Sequence, residues 1–202
     1  MTMEFGHNGC DAPCTTCGEG RCQVCTDISG DVAFLLEFDD IVANSTPDPS
    51  TTCDTCDTLN VAHELLLQDE VTAVSIVTSI NTVCPLTDPL DLNDSSTYCI
   101  WAKTISCGRT TIFEYEIFMA VVVYRTSGGD LRATVFVSTA YSGSAGCSAT
   151  VNSSDDFLLA TGATQFDCLN LLRASTLTTC SGTDPMCGCS VPVNYGLAVG
   201  AL

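Results

Sequence analysis

The chain has 202 residues, with 24 acidic and six basic side chains, and its formal net charge is −18. This charge argues against nucleic acid and anionic membrane surfaces as partners, because proteins neutralise phosphates with lysine and arginine. The longest apolar run, residues 117–124, is too short for membrane insertion. The length suits one large β domain with a core of its own.

Fifteen cysteines make cross-linking part of the predicted fold. Because the number is odd, at least one thiol must be free, metal-bound or bridged to another chain if all the others pair. Disulfides persist in oxidising surroundings, yet the sequence starts at Met1 without the basic and apolar regions of an export signal. Three explanations stay open: a removed signal, intracellular metal binding, or release by lysis followed by oxidation, as for a phage particle protein.

Residues 1–29 are predicted to form a cysteine-rich N-terminal segment, separate from an antiparallel β domain over residues 30–202. The segment has few apolar side chains, so we expect cross-links to hold it. Its two Cys-x-x-Cys pairs have the ligand types of a zinc site, although the four-residue spacer between them is short for one. A knot of disulfides is the favoured alternative, and an iron–sulfur cluster is the third. The cysteines concerned are Cys10, Cys14, Cys17, Cys22 and Cys25, of which the last four are the zinc candidates.

Alternating apolar residues predict strands along the rest of the chain. The first covers residues 32–38, and residues 61–68 are consistent with either a strand or a short helix. A hairpin gives the clearest signal, with arms at 113–123 and 131–137, joined by a turn at residues 127–130 that contains two glycines. Residues 169–174 are again ambiguous, and further strands are expected at 71–78, 98–105, 157–160 and 191–199. These elements predict an all-β fold, an antiparallel β-sandwich or barrel.

The loop after residue 87 groups hard oxygen ligands and is a candidate calcium site. Two close cysteine pairs lie elsewhere, and we interpret them as structural, because aspartates flanking the first disfavour the thiolate that redox activity needs. The remaining cysteines lie in or beside predicted strands and are expected to be disulfide staples. The calcium candidates are Asp88, Asp91, Asn93 and Asp94; the close pairs are Cys53 with Cys56 and Cys187 with Cys189; the staples are Cys84, Cys99, Cys107, Cys147, Cys168 and Cys180.

Spaced positions along most of the chain carry a family resemblance. They are an opening cysteine cluster, Cys53-x-x-Cys56-x-x-Leu59-Asn60, Cys99-x-Trp101, Cys107 and Phe166-Asp167-Cys168. The sequence resembles an uncharacterised cysteine-rich β family of planctomycete genomes and environmental phages, with the character of virion structural proteins. The resemblance implies a stapled β domain and transfers no catalytic residue.

The sequence offers no convincing catalytic constellation. His7 and His63 are the two histidines, and His63 lies in an apolar run that is typical of a core or interface position. Neighbouring carboxylates occur at Asp39-Asp40, at Glu114 and Glu116, and at Asp155-Asp156. They would serve a glycosidase only if they faced each other across a substrate. We therefore predict a protein that is not an enzyme and requires no cofactor, with zinc or calcium as optional ligands.

The predicted function is that of a disulfide-stabilised structural or assembly protein, a decoration, tail or fibre-associated subunit of a phage or virus-like particle. Its expected location is the virion or the extracellular space. Its expected partners are copies of itself, other structural proteins of the assembly, or both. One alternative is a secreted or surface-displayed bacterial binding module, and another is an intracellular zinc-binding protein.

Overall fold

The structure is a computed structural model and describes residues 32–38, 63–87, 90, 98–109, 113–143, 148–161, 173–182 and 192–199. Within these residues most of the chain is in strands, and the predicted antiparallel all-β fold is confirmed. The elements are β1 (Val32–Phe38), β2 (His63–Leu67), α1 (Glu70–Val83), β3 (Tyr98–Arg109), β4 (Phe113–Arg125), β5 (Leu131–Gly143), β6 (Ser148–Ala160), β7 (Arg173–Thr176), β8 (Thr178–Ser181) and β9 (Pro192–Val199).

The strand order across the sheet is β7-β9-β1-β2-β3-β4-β5-β6-β8, and all the described pairs are antiparallel. The first half of β2 pairs with β1, and its last two residues, Leu66 and Leu67, pair with β3. Only Leu177 separates β7, which pairs with β9, from β8, which pairs with β6. The two ends of the strand order are therefore consecutive in the chain, and Arg173 of β7 reaches Asp155 of β6 near the other end.

The predicted hairpin is confirmed and forms β4 and β5, which lie between β3 and β6 in the sheet. In β4 and β5, Val121 lies opposite Val135. At the turn, the backbone N–H of Thr126 donates to the carbonyl of Asp130 at 2.8 Å. Gly129 has φ +91°, a left-handed conformation that glycine adopts without strain. The two glycines thus supply the turn that the sequence indicated.

The central strands are buried on both faces. Alternate residues of β4, such as Met119 and Val121, point into an inner cluster that also contains Leu177 and Leu197 from the ends of the strand order. The residues between them form an outer cluster with one face of α1. Burial on both faces explains why β4 reads as a nearly continuous apolar run rather than as an alternating one.

The strand predicted at residues 71–78 is wrong, because these residues belong to α1. Asp69 caps this helix: its carboxylate accepts the Thr72 backbone N–H at 3.0 Å and the Thr72 hydroxyl at 2.8 Å. Ala73, Val77 and Ile80 lie on one helical face and cover the outer side of β3, β4 and β5. Tertiary packing therefore overrides the strand preference of the β-branched residues.

The structure also settles the two segments that could be strand or helix, and it extends the strand predicted at residues 157–160. Residues 63–67 of the first ambiguous segment form β2, and β7 begins at Arg173, near the end of the second. The strand predicted at 157–160 is the last part of β6, which begins at Ser148. Seven of its first nine residues are serine, threonine, asparagine or aspartate, so this part of the strand has little hydrophobic signal.

Candidate functional site

Two adjacent aspartates of β6 organise polar clusters on opposite faces of the sheet. Asp155 lies opposite Val135 of β5, whose side chain belongs to the inner cluster, and Asp156 lies opposite the preceding residue, Thr134. Because successive residues of a strand point to opposite faces, the two carboxylates are directed apart. We name the inner clamp as Asp155, Arg173 and Tyr195, and the outer clamp as Asp156, Arg132, Tyr124 and Thr134.

The inner clamp joins strands from the two ends of the strand order. Nε and Nη2 of Arg173 in β7 donate to Oδ2 of Asp155 in β6 at 3.1 and 3.0 Å. The hydroxyl of Tyr195 in β9 donates to the same oxygen at 2.7 Å. Cζ of Arg173 also lies 4.0 Å from the ring centroid of Phe157, a cation–π distance. This cluster therefore links β6, near one end of the strand order, to β7 and β9 at the other end.

The outer clamp joins three neighbouring strands. Arg132 of β5 donates from Nε to Oδ1 of Asp156 at 2.7 Å, and its Nη2 lies 2.6 Å from the same oxygen. The hydroxyls of Tyr124 in β4 and Thr134 in β5 both donate to Oδ2 at 2.9 Å. Both carboxylate oxygens are engaged, so this cluster reinforces the pairing of β4, β5 and β6.

The two tyrosines lie in separate clusters but have similar electrostatic environments. Burial, together with the charge and hydrogen bond of Asp156, raises the pKa of Tyr124 above its ordinary value. Burial, together with the hydrogen bond and charge of Asp155, raises the pKa of Tyr195 in the same direction. Both hydroxyls therefore stay protonated at neutral pH and serve as hydrogen-bond donors.

The geometry of the two aspartates does not suit a shared substrate. Acid–base pairs of glycosidases hold their carboxyl groups on either side of one bond. Asp155 and Asp156 point to opposite faces, and each is occupied by an arginine and a tyrosine. What this arrangement does is to hold strands together through charge-assisted hydrogen bonds.

A disulfide links the helix to the sheet. Cys84, the residue after α1, is bonded to Cys180 of β8, with a Cα–Cα distance of 5.1 Å and a sequence separation of 96. The prediction that these cysteines are staples is confirmed, although Cys84 follows a helix rather than a strand. Cys99, in β3, is also disulfide-bonded.

Most of the predicted metal and disulfide candidates lie outside the described residues. Cys107 lies in β3, but its side chain is not among those described. Within the part of the chain that the structure describes, no group of three or more His, Cys, Asp or Glu side chains could hold a metal ion. His63 is buried in β2, at 7% exposure, as its apolar surroundings predicted. The candidates outside the described residues are Cys10, Cys14, Cys17, Cys22, Cys25, Cys53, Cys56, Cys147, Cys168, Cys187, Cys189, Asp88, Asp91, Asn93 and Asp94.

The two aspartates are visible in the sequence as one of its neighbouring carboxylate pairs, but the arginines and tyrosines that bind them were not predicted. The hairpin register alone places Tyr124 opposite Arg132, so part of the outer clamp had a detectable signal. The inner clamp had none, because it depends on how β7 and β9 meet β6.

Comparison with protein-family models, with curated proteins and with solved structures finds no match to this chain. Among the described residues, no helix is both long and apolar enough to cross a membrane.

Proposed function

We propose that this protein is a disulfide-stabilised structural subunit of an extracellular assembly, with a phage or virus-like particle as its leading setting. The observation that carries the proposal is the Cys84–Cys180 disulfide, which ties the helix over the central sheet to one end of the strand order. A loop of this length, closed in the unfolded chain, is worth about 4–5 kcal/mol in the chain-entropy model. Such a staple suits a protein that must survive outside a cell.

The site chemistry supports a mechanical role. The inner clamp joins strands from the two ends of the strand order, and the outer clamp reinforces the strands beside it. Both use their charged groups to join strands: the inner clamp joins β6 to β7 and β9, and the outer clamp joins β4, β5 and β6. A body fastened in this way changes shape little under load, which is the property that an assembly subunit needs.

The net charge shapes how such a subunit would assemble. Copies that each carry a formal charge of −18 repel one another unless salt, divalent cations or a basic partner screens them. We therefore expect self-association to increase with ionic strength, and binding to a basic partner surface to weaken with it.

The test combines covalent state, durability and assembly. Protein made in an oxidising compartment would be mapped by non-reducing peptide mass spectrometry, then challenged with heat and protease beside a Cys84→Ser/Cys180→Ser double variant. Light scattering across a salt and Ca²⁺ series would measure the oligomeric state. The proposal predicts an intact Cys84–Cys180 bridge, faster proteolysis of the variant, and larger assemblies at higher ionic strength.

Two results would count against it. If the native protein carries free thiols at Cys84 and Cys180 and is equally durable, the stapled-subunit role fails. If the oxidised protein stays monomeric under every condition and captures a soluble ligand, the secreted binding module is the better description.

A further inference from the structure

The helix α1 is built from residues that prefer strands. Its 14 residues contain no glycine and no proline, and Glu70 is their only charged side chain. β-Branched residues lose side-chain freedom in a helix and fit a pleated strand. A segment with so little charge and many β-branched residues is also typical of chains that pair into intermolecular sheets. The β-branched positions are Val71, Thr72, Val74, Ile76, Val77, Thr78, Ile80, Thr82 and Val83.

This segment is held in its helical form by a cap, by packing and by a covalent bond, and Val74, Ile76 and Val83 are partly buried against the outer cluster. At its start, the Asp69 carboxylate caps the first turn. Along its length, the fully buried positions are Ala73, Val77 and Ile80, while Val71 is 81% exposed. A helix of this length is marginal by itself in water. Its far end is held by the bond from Cys84 to Cys180.

The disulfide is open to attack from one side. Cys180 is exposed, whereas Cys84 is 3% exposed. A dithiol reductant therefore attacks Sγ of Cys180, forms a mixed disulfide there, and expels the Cys84 thiolate, which takes a proton from water. The second thiol of the reductant then displaces Cys180, so two electrons pass to the protein and the reductant leaves as a cyclic disulfide.

We propose that the Cys84–Cys180 disulfide is a redox latch on a segment with two conformations. When the latch is closed, Glu70–Val83 is a helix on the outer face of the sheet. When a dithiol opens it, the segment leaves that face and pairs as a strand with the same segment of a second copy of the chain. This inference stands independently of the proposed structural role, because it needs only the helix, its composition and the bond.

The experiment uses the Cys84→Ser/Cys180→Ser variant under non-reducing conditions, so that the other disulfides stay closed. Hydrogen exchange of peptides from 70–83 should become faster by roughly tenfold or more, while peptides from the centre of β4 keep their protection. Circular dichroism should show helix signal replaced by strand signal as concentration rises, and light scattering should show a dimer or larger species.

A matched control adds Val71→Ala, Thr78→Ala and Thr82→Ala to the double variant. These three positions are exposed, and alanine favours the helix without touching its buried face. The control should regain slow exchange in 70–83 and return to a monomer. In the chain with its disulfide intact, the same three changes should leave the oligomeric state unaltered.

Retention of slow exchange in 70–83 without the disulfide would overturn the latch. Loss of the helix with a monomer at all concentrations would overturn the pairing with a second copy. If the double variant fails to fold, the oxidised protein can be treated briefly with dithiothreitol and alkylated. Peptide mapping then identifies molecules opened only at Cys84 and Cys180, and the same exchange measurement decides between the outcomes.

Discussion

The inner and outer clamps use the same chemistry in two different places. Each centres on an aspartate of β6 that accepts hydrogen bonds from one arginine and one tyrosine. The outer clamp joins β4, β5 and β6, which are already neighbours through backbone pairing. The inner clamp joins β6 to β7 and β9, which lie at the opposite end of the strand order. What an ion pair contributes to this fold therefore depends on which strands it connects.

Exposure separates the two clamps further. The side chain of Arg173 is 34% exposed and that of Arg132 is 19% exposed. Solvent screening weakens the inner ion pair more than the outer one. The inner clamp compensates through position: Tyr195 is 1% exposed, and its hydroxyl would be left without its carboxylate acceptor inside the core.

Removing each carboxylate gives the largest expected effect. Asp155→Ala should lower the free energy of unfolding by about 2–3 kcal/mol, because Arg173 and the buried Tyr195 lose the carboxylate that accepts hydrogen bonds from both. Asp156→Ala should cost about 1–2 kcal/mol, because backbone pairing still holds its strands. Urea denaturation measures both values.

Hydrogen exchange locates the damage. Asp155→Ala should speed exchange in β7 and β9, and Asp156→Ala should leave those strands protected. Equal exchange patterns in the two variants would show that the inner clamp does not hold β7 and β9 against β6.

The tyrosines predict an alkaline loss of stability. Their pKa values are raised in the folded state, so the contribution of each is complete below the ordinary tyrosine pKa and is lost as pH rises toward the folded value. With free thiols alkylated, the free energy of unfolding should begin to fall as pH rises past about 10, the ordinary tyrosine pKa, and should keep falling toward the folded values. Tyr195→Phe and Tyr124→Phe should each cost about 1–2 kcal/mol at neutral pH and flatten that fall.

Absorbance of tyrosinate provides the check, since two of the five tyrosines should titrate late in the folded protein. If all five ionise together near the ordinary value, neither hydroxyl is held by its aspartate. A steeper pH dependence in Tyr124→Phe than in Tyr195→Phe would assign the greater share to the inner clamp.

A pair of threonines on β5 gives the smallest and sharpest contrast. The Thr134 hydroxyl donates to Asp156, and Thr134→Val should cost about 1 kcal/mol. The buried hydroxyl of Thr139 has no hydrogen-bond partner among the described residues, so Thr139→Val should be neutral or slightly stabilising. Thermal unfolding of both variants measures the difference. A loss in Thr139→Val as large as in Thr134→Val would mean that side-chain packing, rather than the outer clamp, sets the cost.

The sequence by itself determined the hairpin, because alternating apolar residues on both arms and two adjacent glycines are local signals that need no distant partner. It also determined that cysteines would staple the fold, as Cys84 and Cys180 do. It could not determine α1, since residues 71–78 satisfy a strand pattern in isolation and become a helix only when the outer face of β3, β4 and β5 requires a cover.

Only the tertiary structure decided the inner clamp, which joins strands from the two ends of the strand order. Asp155, Arg173 and Tyr195 lie on three strands that meet because the chain changes sheet partner at Leu177. A sequence records which residues can pair with their neighbours, but contacts between distant strands depend on how the whole sheet curls. Such contacts depend on many weak interactions acting together, and they therefore leave no local pattern in the sequence.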